Sequence, residues 1–326
     1  MVIFIHVTAA PITNLSHNIL GVKILFTLNR MCGVAVHGFV FLSGLKLFLK
    51  ETSGINYISY FGSRIKRIYI PYLIAAAMYY LLKILRGIYV FDIRQLTTFL
   101  IFGNGESHLY FVFVIMQFYI LFPLWRYLLN SKSVLFLLVL SAVINIAGYC
   151  FLPDLLSGFN IIDSFSYNHG LFTSYIFSWV FGCVCGKYYN EFVRFLSKKK
   201  ILLGVISLIL TCADVYMAYN STYYGCIFTF SKLIRFLYIV VMICFVYSMI
   251  CCRKLRILNI RFVKLIDDAS FEIYLFHVFI IHFLGMILGK FNISQSCLYI
   301  INFLLVYILS ITICILYKKM VWRLKK

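Results

Sequence analysis

Charge is scarce in this chain, and acidic charge scarcest of all. Only 12% of the 326 residues are Asp, Glu, Lys or Arg, and only ten are acidic. Soluble domains average about 25% charged residues, so an ordinary water-facing surface cannot be built from this composition. Prolines number just four, which leaves few obligatory helix breaks. The eleven cysteines contain no C-x-x-C pair and lie mostly inside apolar runs. Cysteine there acts as a small hydrophobe, which argues against a disulfide framework. Cys183 and Cys185, two residues apart, point to different faces of a helix, so a metal site is not expected. No G-x-S-x-G, Walker loop, H-E-x-x-H or G-x-G-x-x-G occurs. Those soluble-enzyme classes are set aside.

What is abundant is apolar surface: 63% of residues are hydrophobic, and mean hydropathy is +0.96. Apolar runs recur along the whole chain at about 20 residues, the length that crosses the hydrocarbon core as helix. The sequence therefore describes an all-α polytopic membrane protein, a bundle of about ten transmembrane helices. The expected segments are 1–13, 33–49, 68–87, 108–128, 133–152, 170–188, 201–219, 233–250, 269–289 and 297–317. No polar gap holds a soluble module, so residues 1–326 read as one membrane-embedded domain.

The formal net charge is +20. Its distribution points to topology rather than to nucleic acid. With the N-terminus inside, the blocks 46–67, 126–132, 187–200, 251–268 and 318–326 carry 22 of the 30 Lys and Arg. The intervening blocks 14–32, 83–107, 153–169, 220–232 and 290–296 carry seven. This alternation follows the positive-inside bias and predicts both termini in the cytoplasm. The first segment is the exception. At about 1.5 Å per residue, 13 helical residues reach roughly 20 Å of a core of about 30 Å, so the first helix reads as truncated or partly re-entrant.

Ionisable residues within spans are costly and default to function. His6 stands inside the first apolar run and is either a hydrogen-bonded helix-end residue or a functional one. His37, in "GVAVHGFVFLSG", reads as a packing residue, and Ser43-Gly44 beyond it permits close helix approach. "SRIKRIYIPY" brings Arg64, Lys66 and Arg67 to the cytoplasmic face. On an α-helix Arg64 and Arg67 share a side, so they either grip one phosphate group or anchor topology. His108 and Tyr110 stand where an external loop enters a span, in reach of water and substrate or as an interfacial pair. In "DDASFEIYLFHVFIIHF", Ser270, Tyr274 and His277 form one helix face, a stripe that suits a polar network or interhelical glue.

Five stretches in order resemble one family. They are "VIFIHV", "GFVFLSG", "SRIKRIYIPY" with its Arg-x-x-Arg, "HLYFVFVIMQFYILFP" and "SFEIYLFHVFII". Together they resemble membrane-bound acyltransferase family 3, ten-span proteins that O-acylate cell-surface polysaccharides. The chain is most similar to its short, membrane-only branch, which includes the O-succinyltransferase of intercellular adhesin polysaccharide. The resemblance implies a bacterial cell-membrane O-acyltransferase that moves an acetyl or succinyl group from acyl-CoA to a glycan hydroxyl. It implies His6 as the catalytic residue and Arg64, Lys66 and Arg67 as the acyl-CoA site. His108, Tyr274 and His277 are secondary catalytic candidates. Membrane lipid and a glycan acceptor are the implied partners, with no metal. The rival reading is a polysaccharide or lipid-linked-precursor exporter without transferase activity.

Two departures accompany the resemblance. The family's Arg ten or eleven residues before the first-span His falls ahead of Met1. A misplaced start, a truncated or inactive copy, and a divergent mechanism are the readings this leaves. Glu residues that often precede the Gln-Phe-Tyr of "MQFY" are replaced by Ile115 and Met116.

Overall fold

The structure, a computed structural model, describes residues 1–49, 55–103, 105–158, 171–252, 260–291 and 293–324. Among them there is no strand. Fifteen α-helices are described: α1 Val2–Asn14, α2 Leu20–Cys32, α3 Ala35–Leu49, α4 Tyr57–Arg64, α5 Ile70–Leu85, α6 Ile93–Phe102, α7 Tyr110–Ile120 and α8 Phe122–Ser131. They continue with α9 Val134–Gly158, α10 Ile176–Lys187, α11 Tyr189–Tyr224, α12 Ser231–Cys252, α13 Arg261–Asp268, α14 Ser270–Leu288 and α15 Gln295–Leu324. A π-turn, Ile65–Tyr69, joins α4 to α5, and a 3-10 turn, Phe172–Tyr175, leads into α10.

Among the described residues, helix occurs within each expected apolar segment, but fewer than ten stretches are long enough to cross a membrane. Six helical stretches are long and apolar enough to cross a membrane: Leu20–Leu49, Tyr57–Leu85, Tyr189–Tyr224, Ser231–Cys251, Ser270–Leu288 and Gln295–Val321. The bent pair α7–α8 would make a seventh. Its 52° bend falls at Leu121, where Pro123 in the first turn of α8 removes a backbone donor. Val2–Asn14, Ile93–Phe102 and Val134–Gly148 are shorter apolar helices.

One expectation changes. Residues 14–32 read as an external loop, because Lys23, Asn29 and Arg30 interrupt the apolar run. The structure makes Leu20–Cys32 a helix that continues into α3, so the span begins about a dozen residues earlier. Arg253, Lys254 and Arg256, and most of the segment 153–169, lie outside the described residues.

The chain divides into two compact units. The first comprises Met1–Ala35, Leu208–Phe228 and Met249–Lys326. In it α1 packs on α2, and meets α14 and α15 through two apolar clusters that share Ile3. Val7 meets Ile280, Leu284 and Val306 in one; Ile273, Cys314 and Ile315 form the other with Ala269. The second unit comprises Val36–Ser207 and Thr229–Ser248. Its core centres on Trp179, stacked on Phe118 at 4.7 Å and 12°. Helices α3 and α10 approach there closely. A Cβ at Gly44 would stand 2.7 Å from the Trp179 carbonyl oxygen, and one at Gly182 would fall on the Phe41 backbone. Ser43-Gly44 thus marks a close helix crossing, as read from the sequence. Its partner is Gly182-x-x-x-Gly186, a small-residue spacing that membrane helices use for contact.

Candidate functional site

Ile3, Val7 and Thr8 turn one side of α1 inward, and His6 is half-buried beside them. Across from it, His277 of α14 is fully buried. The two imidazoles lie 5.2 Å apart, centroid to centroid, and are inclined by 53°. These residues are 271 positions apart in sequence, and the fold makes them neighbours. Tyr274, one turn earlier on α14, has its ring 6.2 Å from that of His277.

The main chain decides the tautomer of neutral His277. Its Nδ1 lies 2.8 Å from the Tyr274 carbonyl oxygen and 3.1 Å from that of Ile273. A carbonyl only accepts, so Nδ1 carries the proton and donates it, and the lone pair falls on Nε2. The ring is held by backbone rather than by a movable side chain. Of the stripe read from the sequence, His277 faces α1, Tyr274 is half-buried, and Ser270 is exposed at the start of α14.

Further polar contacts on α1 and its neighbours belong to this unit. The Asn29 side-chain amide on α2 donates to the Ile5 carbonyl oxygen at 2.9 Å and to Thr8 Oγ1 at 2.8 Å. Thr8 Oγ1 in turn donates to the Phe4 carbonyl oxygen at 2.6 Å. Beside Asn29, Arg30 makes a two-pronged bond to Asp214 of α11, Nε to Oδ2 and Nη2 to Oδ1, each 2.8 Å. Asp214 is 3% exposed. Sequence reading overlooked all four residues. Asp214 alone carried a signal, as an acid inside the apolar run 201–219.

Arg64, Lys66, Arg67 and His108 belong to the second unit. The Arg64 guanidinium lies over the Tyr60 ring at 4.2 Å and within 5.4 Å of the Tyr119 ring centre, and its Nη1 donates to Ser63 Oγ at 2.8 Å. Such cation–π contacts fix where the guanidinium sits. Lys66 and Arg67 are exposed on the π-turn. That turn alters the expected geometry. The Ile70 amide bonds back to the Ile65 carbonyl, five residues away, so each residue advances less around the axis than in an α-helix. Arg67 is therefore rotated off the α-helical i, i+3 position relative to Arg64.

His108 also departs from expectation. Read as a boundary residue in reach of water, it is 2% exposed and meets the Tyr79 ring edge-on at 5.4 Å. Gly103, at φ +65°, ends α6 close against the backbone of Leu109, the residue after His108. His37 is buried, bonded to Ser178 Oγ at 2.9 Å and packed on Tyr175, in agreement with a packing role.

The constellation in the first unit offers a proton acceptor beside a second imidazole of defined tautomer, which is acid–base chemistry. Among the described residues, no group of three or more His, Cys, Asp or Glu could hold a metal ion. No curated protein and no solved structure matches the chain. A family model described as an acyltransferase domain, that of acyltransferase family 3, matches residues 1–319. With that match over nearly its whole length and six or seven helices of membrane-crossing length, the chain belongs to acyltransferase family 3 and is a multi-pass membrane acyltransferase.

Proposed function

We propose that the chain transfers an acetyl or succinyl group from cytoplasmic acyl-CoA to a hydroxyl of a cell-surface or lipid-linked polysaccharide. The observation that carries this reading is the His6–His277 pair, 5.2 Å between ring centres, in a chain of acyltransferase family. In the reaction the glycan oxygen attacks the thioester carbonyl carbon. His6 takes the hydroxyl proton as the C–O bond forms. It returns that proton to the CoA sulfur as the C–S bond breaks. General-base help of this kind contributes about 10²–10⁴-fold. His277, its Nδ1 proton tied to the main chain, holds the neighbouring ring in place. Tyr274, half-buried one turn from His277, orients the sugar or the thioester oxygen.

Arg64, Lys66 and Arg67 take the CoA phosphates, because three cations within four residues match a polyanionic donor. The π-turn divides the work among them: Arg64 is held by aromatic rings, while Lys66 and Arg67 are exposed to solvent. In this reading residues 1–326 act as one acyltransferase domain of ten spans in a bacterial cell membrane, with both termini cytoplasmic. In the same reading it groups with the short, membrane-only branch that includes the adhesin O-succinyltransferase.

The test uses membrane vesicles containing the protein, labelled acetyl-CoA or succinyl-CoA, and a polysaccharide acceptor. Label reaching the glycan in an ester is the expected result, with His6→Ala abolishing it at unchanged membrane content. Glycan exported across the membrane without label would establish the exporter instead.

A further inference from the structure

The helix that bears His6 is short and carries Pro11 within it, so its own backbone holds it weakly. It is nonetheless fastened where the histidine stands. Asn29 reaches from α2 and donates to the Ile5 carbonyl and the Thr8 hydroxyl, the residue before His6 and the one two after it. One amide thus bridges a single turn of α1 on both sides of the imidazole. Both contacts are short and partly shielded from solvent.

The next residue on α2, Arg30, forms the two-pronged pair with Asp214. Charges in a membrane-crossing helix are expensive, and a paired acid and base there mark function by default. Two parallel bonds from a planar guanidinium also fix direction, which a single contact does not. The pair therefore sets the height and rotation of α2 against α11, and Asn29 passes that setting to α1.

We propose that Asn29 is a positioning residue for His6, with Thr8 as its acceptor and the Arg30–Asp214 pair as its anchor. This inference rests on the reading of His6 as the general base. Misplacing a reacting group by about 1 Å can cost on the order of 10²-fold in rate. A group that positions the base affects the chemical step and leaves donor binding alone.

The experiment measures acyl transfer from acyl-CoA in reconstituted vesicles, with rates referred to folded protein determined by size-exclusion chromatography. Asn29→Ala and Thr8→Val, which remove the donor and the acceptor, are each expected to lower kcat by about 10–100-fold with KM for acyl-CoA unchanged. Asp214→Asn is expected to do the same. Thr8→Ser, which keeps the oxygen, is expected to retain kcat. Wild-type kcat in either Asn29→Ala or Thr8→Val overturns the inference, as does a raised KM at constant kcat. His6→Ala separates the two readings. If it stays active, the base is misassigned and the positioning role falls with it. If it is inactive while Asn29→Ala and Thr8→Val run at wild-type kcat, the positioning role alone is lost.

Discussion

At the scale of single residues, two imidazoles and two arginines carry the chemistry proposed for this protein. For the histidines, the main-chain lock on His277 Nδ1 makes a definite expectation. His277→Asn keeps a side-chain donor near the carbonyls but removes the ring beside His6. It should lower acyl transfer by at least about tenfold while leaving the protein folded, since the loss is of a catalytic neighbour. Equal activity would reduce His277 to packing. The arginines should separate from each other. Arg67→Gln removes an exposed cation and is expected to raise the KM for acyl-CoA. Arg64→Gln also strips a cation from between the Tyr60 and Tyr119 rings. It should therefore lower thermal stability by about 0.5–2 kcal/mol as well, measured by thermal unfolding in detergent. Much of this was visible beforehand. The Tyr274/His277 stripe follows from helical spacing alone, whereas the meeting of His277 with His6 needs the packing of α1 on α14. The burial of His108 was hidden, because it rests on tertiary packing, the Tyr79 ring among it, that no local pattern carries.

Helices and their contacts form the next scale. The crossing of α3 and α10 depends on glycines that leave no room for a side chain. Gly182→Val should abolish folded protein, because its Cβ alone would fall on the Phe41 backbone. Gly38→Ala on the same α3 meets nothing within 4 Å and should be neutral or stabilising by about 0.5–1 kcal/mol. The yield of monodisperse protein after extraction distinguishes the two outcomes. Helix α2 is the element the sequence concealed. Lys23, Asn29 and Arg30 break the apolar pattern from which spans are read. Lys23 is exposed, and the cost of the other two is met on other helices: Arg30 finds Asp214, 184 residues on, and Asn29 finds α1. A pattern search along one strand of sequence has no access to such pairings. The long apolar runs, such as α12 and α14, were legible to within a few residues.

For the whole molecule, composition settled the solvent: a chain with 12% charged residues and 63% hydrophobic ones belongs in lipid. The number of crossings is harder to read, because α1, α6 and Val134–Gly148 are apolar but short. Charge asymmetry provides the experimental handle. The clusters Lys198–Lys200 and Lys318–Lys319 both belong to blocks read as cytoplasmic. Single cysteines placed at 199 and 319 in a cysteine-free background should be modified by an impermeant maleimide only from the cytoplasmic side. Labelling of the two from opposite sides would overturn the ten-span topology expected from the sequence.

The π-turn at Ile65–Tyr69 has a consequence for how this helix can change over time. A turn that closes over five residues holds one residue more than its α-helical equivalent. That single residue acts as a frame shift in three dimensions: everything from Ile70 onward is rotated relative to α4, while the chain remains one continuous span. Deleting Ile68 alone would let the turn relax to α-helix and return Arg67 to the side of Arg64, while Tyr72 and Tyr79 downstream keep their buried places. The extra residue therefore alters where the cations stand on this span without disturbing the packing that follows it.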